Sequence, residues 1–144
     1  MGESTQRFLH SRIGRLFIQF GKFGLVGVAG LLVDTAVLYA VIGATGVEFY
    51  IARILSFLAA ATATWALNRR FTFRGAARQP LHREWAKFLA ANSFGGVVNY
   101  AVSVGLVTAL AVVAAHPFLA VAAGSLAGMC FNFAASKRLV FKGA

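Results

Sequence analysis

Residues 22–37 read KFGLVGVAGLLVDTAV, and residues 87–102 read KFLAANSFGGVVNYAV. Lys22-Phe23 falls on Lys87-Phe88, Asp34 on Asn99 and Val37 on Val102, at an offset of 65 residues. Further on, residues 68–75 (NRRFTFRG) fall on residues 136–143 (SKRLVFKG) at an offset of 68. The slack between the two offsets lies in the intervening loop. Repeats at near-fixed spacing set the architecture. Each unit here holds two long apolar segments and closes on a basic, aromatic tail. The sequence therefore predicts a duplicated pair of membrane helices.

Composition agrees. Of the 144 residues, 59% are hydrophobic and 12% charged, with a mean hydropathy of +0.74. Soluble chains carry about 25% charged residues. A bilayer core about 30 Å thick is spanned by about 20 apolar residues. Four such stretches are present, at about 23–42, 49–67, 88–113 and 118–135. The predicted fold is an all-α membrane protein of four transmembrane helices, arranged as two parallel two-helix repeats. One domain covers residues 1–144: a cytoplasmic or interfacial segment (1–19), repeat one (20–75), a cytoplasmic linker (76–84) and repeat two (85–144).

The N-terminal segment does not read as a cleavable signal, because the apolar helix after it is too long and Asp34 interrupts it. Phe8, Leu9, Arg12, Ile13, Leu16, Phe17 and Phe20 recur at helical spacing. That pattern fits a helix lying in the membrane interface, or alternatively an extension of the first span.

A net charge of +10 would point to nucleic acid in a soluble protein, but its placement argues otherwise. Of fourteen Lys and Arg residues, four precede the first span, six lie between the second and third, and three follow the fourth; Arg53 alone lies elsewhere. The positive-inside rule puts both termini and the middle loop in the cytoplasm, with the chain in the inner membrane. Anionic lipids are expected partners of these basic segments, and nucleic acid is not. The lone cysteine (Cys130) and the scattered His10, His82 and His116 carry no metal-ligand spacing. No cofactor is expected. Glu3, Glu48 and Glu84 lie near helix ends or in the N-terminal tail, where solvated roles are expected. No nucleophilic triad, paired carboxylates or phosphate-binding glycine loop is present, so the chain is not expected to be an enzyme.

Buried charge is the informative exception, since a charged group in hydrocarbon costs about 2.5–3.5 kcal/mol on insertion scales. Counted along their helices, Asp34 and Arg53 lie within about a turn of each other in depth. Two readings follow: a structural ion pair, or a polar cavity that receives an anionic headgroup. They coexist if Asp34 orients Arg53 and leaves guanidinium donors for phosphate. In the second half Asp34 is matched by Asn99, Arg53 by Val121, Thr64 by Asn132 and Asn68 by Ser136. A lipid-facing amide is costly, so Asn99 and Asn132 are predicted to face the interior.

The runs FGLVGVAGLLVDTAVLY, ARILSF and NRRFTF, followed by KFLAANSFGGVVNY and FNFAASKRLVF, together resemble the GtrA-like family of small four-helix membrane proteins. The resemblance covers about Phe20 to Lys142. Val121 departs from it, standing where the family often has a basic residue. The resemblance implies a role in cell-surface polysaccharide or glycolipid biosynthesis: translocation of a polyprenyl-phosphate-linked sugar, or membrane support for it. Asp34, Arg53, Asn99 and Asn132 would line the headgroup groove. Asn68, Arg69, Arg70, Lys137 and Arg138 would capture the phosphate at the cytoplasmic interface, or simply anchor the helices there. A second reading is a scaffold that recruits a polyprenyl-phosphate glycosyltransferase. A third, a proton-coupled exporter, is opposed by Arg53, which would hold Asp34 ionised. A bundle this small also raises the prospect of a homo-oligomer.

Overall fold

The computed structural model describes residues 11–47, 49–77 and 79–144, and every regular element among them is helical. The first helix, α1, runs from Arg12 to Thr45. Ser11 caps it by accepting the Gly14 N–H at 3.0 Å. Gly46 ends it in the left-handed conformation (φ 64°), its N–H donating to the Ile42 carbonyl at 3.0 Å. A residue without Cβ adopts that conformation most readily. Residues 12–19 continue α1 without a break. The described part of the expected interfacial segment is thus an extension of the first helix, and residues 1–10 of that segment lie outside the described ones.

Helix α2 spans Phe49–Leu67, and the chain then widens into a π turn at Asn68–Thr72. There the Phe73 N–H donates to the Asn68 carbonyl five residues back, at 2.9 Å. After a connection come α3 (Leu81–Ala109), a single helical turn α4 (Ala111–Ala115) and α5 (Pro117–Ala135). The third apolar stretch was expected to run unbroken to 113. Instead Leu110 takes an extended conformation (φ −126°, ψ 113°) and interrupts it. Proline at the first position of α5 suits a site where no backbone N–H is needed. A second π turn, Ser136–Val140, follows, with the Phe141 N–H donating to the Ser136 carbonyl at 2.7 Å.

Packing divides the chain into two compact units, meeting at Ala76 and Ala77. In the first, α1 packs on α2, burying Phe23, Val26 and Gly30 of one helix and Ala52, Ser56 and Ala61 of the other. The π turn brings Phe73 back beneath this pair, edge-on to Phe23 with centroids 6.2 Å apart and planes at 61°. In the second, α3 packs on α5 and buries Phe88, Ala91 and Gly95 against Ala120, Gly124 and Gly128. Phe141 meets Phe88 edge-on, at 6.1 Å and 62°. Such an aromatic pair contributes about 0.5–1.5 kcal/mol beyond the area it buries.

The expected linker is not a free loop. Its last residues, from Leu81, are already α3, and Ala77 and Gln79 are tied to the second unit. Ala77 N–H donates to the Lys142 carbonyl at 2.7 Å, and Gln79 Nε2 donates to the Val140 carbonyl at 2.7 Å. Lys87 Nζ donates in turn to Gln79 Oε1 at 2.8 Å. Glu84, expected to be solvated, is 2% exposed in the first turn of α3, where a carboxylate favours the helix N-terminus.

Away from these seams the helices present bare apolar faces, including Leu25, Leu31 and Leu32 on α1 and Phe94 and Val97 on α3. Helices α1 and α3 are each long and apolar enough to cross a bilayer.

Candidate functional site

The second unit holds a polar seam built on glycine. A methyl group at Gly95 would run into the Asn132 amide, and one at Gly124 would meet the Asn99 carbonyl at 2.5 Å. One at Gly128 would lie 2.8 Å from the Gly95 carbonyl and 3.1 Å from Asn99 Cβ. These contacts set an antiparallel register in which Asn132 rests on Gly95 and, a turn further along α3, Asn99 rests on Gly124 and Gly128. Ser103, one turn beyond Asn99, sits 2.9 Å from the Ala120 carbonyl across the seam and 3.3 Å from Asn99 Oδ1. With one hydroxyl proton, it donates chiefly to the nearer carbonyl and crosslinks the helices. Both asparagines therefore point into the α3–α5 seam. Asn132 Oδ1 is buried there without a hydrogen-bond partner, as is Ser136 Oγ a turn later.

The first unit repeats the register with different side chains. A methyl group at Gly30 would run into Thr64 Cγ2, so Thr64 occupies the place that Asn132 takes in the second unit. Its hydroxyl is spent within its own helix, on the Ala60 carbonyl at 2.9 Å. From this contact, Asp34, four residues past Gly30 and half-buried, comes level with Ala60. Arg53 lies seven residues beyond Ala60 on α2, ~10 Å further along the helix axis. The two were expected within about a turn. The difference arises because Asn68 is not opposite Lys22: the helix continues through the π turn, and Lys22 comes level with Thr72. The Arg53 side chain lies outside the described ones, and so does its expected pairing with Asp34.

At the basic ends the expectations divide. Asn68 is 2% exposed, and its Oδ1 accepts the Thr72 hydroxyl at 2.8 Å. It shapes the π turn and does not present itself to a headgroup. Arg69 lies over the Trp65 ring, 5.9 Å from its centroid. Arg70 is exposed and stands 5.8 Å from the centroid of Phe71. Arg74, not anticipated, stands 5.8 Å from the same ring. In the second unit Lys137 Nζ donates to the Ala144 carbonyl at 3.0 Å, and Arg138 is exposed beside Leu139.

The family model described as GtrA/DPMS, transmembrane domain, matches residues 22–144. The chain belongs to this family. A search of the curated proteins gives no match. Membership, together with the two bilayer-length apolar helices, makes the chain a membrane protein. It also ties it to the biosynthesis of glycosyl-lipid carriers.

Within this GtrA/DPMS domain, the sequence signal for Asn99 and Asn132 was an amide at mid-helix, and both do lie inward. Arg74 and Gln79 were missed. The pattern NRRFTFR, with arginines four apart flanking an aromatic residue, was the available signal for Arg74. Nothing local marks Gln79, whose partner Val140 lies 61 residues away. Among the described residues, no three His, Cys, Asp or Glu side chains gather where a metal ion could bind.

Proposed function

We propose that this GtrA/DPMS protein translocates a polyprenyl-phosphate-linked sugar, or serves as the membrane subunit for that step, without itself making or breaking covalent bonds. The observation that carries the reading is the family match over residues 22–144, on a chain whose mid-helix segments hold Asp34, Asn99 and Asn132. A phosphate-sugar head does not cross hydrocarbon unaided, whereas its polyprenyl tail stays in lipid. Polar groups at membrane depth lower that barrier.

The reading includes four spans. Helices α2 and α5 are 19 residues each, ~28 Å long, close to the hydrocarbon thickness of about 30 Å. It also includes an internal duplication. Supporting it are the paired contacts Phe23–Phe73 and Phe88–Phe141, the paired π turns, and glycines 30 and 95 beneath residues 64 and 132. The basic ends favour a cytoplasmic-membrane protein with both termini inside.

The test is headgroup transfer in proteoliposomes carrying a polyprenyl-phosphate sugar. Transfer above protein-free vesicles, falling at least tenfold with Asp34→Asn or Arg53→Ala, is the expected result; rates equal to empty vesicles would sink the reading.

One observation favours a scaffold for a glycosyltransferase instead. Asn99 and Ser103 are engaged in locking α3 to α5. A scaffold predicts that an enzyme copurifies with the chain, that Asp34→Asn leaves it bound, and that charge reversal in the basic segment 69–87 releases it.

A further inference from the structure

The two π turns bury equivalent positions and present unequal surfaces. Asn68, Thr72 and Phe73 turn inward in the first unit, as do Ser136, Val140 and Phe141 in the second. Outward, the first turn shows Arg70, Phe71 and Arg74 where the second shows Arg138, Leu139 and Lys142. In the first unit both guanidinium carbons stand 5.8 Å from the centroid of the Phe71 ring, itself 41% exposed. Arg74 Nε donates to the Arg70 carbonyl at 2.8 Å, which fixes its plane and leaves its two Nη groups for a ligand. A guanidinium held against a ring keeps its in-plane donors free, and its fork matches phosphate oxygens two at a time. Among the described residues of the first unit the acidic side chain is Asp34, level with Ala60 and ~15 Å along the helix axis from Arg70. The two like charges are held together, and no carboxylate among the described residues of the first unit lies near them. An anion is the missing complement.

We infer that Arg70, Phe71 and Arg74 form a binding site, owned by the first unit alone, for the phosphate of a polyprenyl-phosphate carrier. This rests on the glycosyl-lipid reading above and narrows it. The arginines grip the phosphate oxygens, and the Phe71 ring lies against the first apolar carbons of the tail. The second unit offers a counterpart charge at Arg138, but Leu139 supplies no ring face, and Lys142 supplies a point charge in place of a fork. Asn68 and Arg69, expected to take part, do not: one is buried and the other is laid on Trp65.

The experiment is native mass spectrometry of the full chain in detergent, titrated with a polyprenyl phosphate, the matching polyprenol, and phosphatidylglycerol. One polyprenyl phosphate is expected to bind per chain, with the polyprenol and phosphatidylglycerol at least tenfold weaker. Arg70→Gln with Arg74→Gln is expected to weaken binding about 100-fold, since the hydrogen bonds lost are charge-assisted ones. Arg138→Gln with Lys142→Gln is expected to change it less than about threefold, because exposed charges off the site act weakly. Phe71→Leu, which copies the second unit, is expected to weaken it several-fold while leaving the melting temperature unchanged. Equal losses from both arginine pairs, two equal sites per chain, or phosphatidylglycerol binding as tightly as the polyprenyl phosphate would each overturn the inference. Because binding is read directly, a chain that binds in this way yet transfers no headgroup leaves the site standing and removes the transport reading. Transfer that survives while both arginine pairs prove irrelevant removes the site alone.

Discussion

Four residues before each π turn, a polar side chain presses on a glycine of the facing helix: Thr64 on Gly30 in the first unit, Asn132 on Gly95 in the second. Thr64 satisfies its hydroxyl within its own helix, whereas Asn132 Oδ1 is buried without a partner. The next turn differs in the same sense, since Asn68 accepts a hydrogen bond from Thr72 and Ser136 Oγ has none. At the outer surface the contrast reverses: the first unit carries the two arginines held at Phe71, and the second ties its basic end back through Lys137 and Gln79. Packing geometry is shared between the units. Polar chemistry is divided between them.

The largest expected effects test the shared part. Phe73 and Phe141 are 1% and 0% exposed, so Phe73→Ala and Phe141→Ala should each cost about 3–5 kcal/mol. Equal losses in denaturant or thermal unfolding, within about 1 kcal/mol, sharpen the equivalence, and a severe loss at one beside a mild loss at the other breaks it. Gly124→Ala comes next, because its methyl would press on the Asn99 backbone carbonyl, which cannot rotate away. The expected cost is about 1–3 kcal/mol. The corresponding change in the first unit, Ser56→Ala, adds no volume and should cost less.

Smaller effects test the divided part. Asn132→Thr copies the first unit, removes a buried unpartnered acceptor and lets the hydroxyl bond to its own helix. It should be neutral or stabilising by about 1 kcal/mol, as read by melting temperature. Thr64→Asn, the reverse exchange, should be destabilising by a similar amount. If Asn132→Thr instead destabilises while Thr64→Asn is tolerated, the unsatisfied acceptor has a structural role that the contrast does not include.

Much of this arrangement was legible in the sequence because hydrophobic length and small residues act locally. The helix Phe49–Leu67 has its expected bounds, and the glycines that admit Thr64 and Asn132 sit inside the stretches that opened the reading. The family resemblance was likewise carried by contiguous runs. What escaped depends on contacts between distant segments. A π turn has the composition of an α-helix end, so Asn68 read as an exposed polar group although the widened turn directs it inward. Ala77 and Gln79 read as part of a linker because their partners, Lys142 and Val140, lie at the far end of the chain. Glu84 read as solvated because its burial comes from packing, which the sequence around it does not reveal.

The central claim is that two units of equivalent packing differ in which one holds the carrier phosphate. It is tested most directly by photocrosslinking a polyprenyl phosphate with a photoreactive tail to the wild-type chain and to a reciprocal variant. That variant combines Phe71→Leu and Arg74→Lys with Leu139→Phe and Lys142→Arg. Peptide mapping should place the wild-type crosslinks in and around residues 68–75, and those of the variant in and around residues 136–143. Crosslinks divided evenly between the two segments in the wild type, or unmoved by the exchange, would contradict the account.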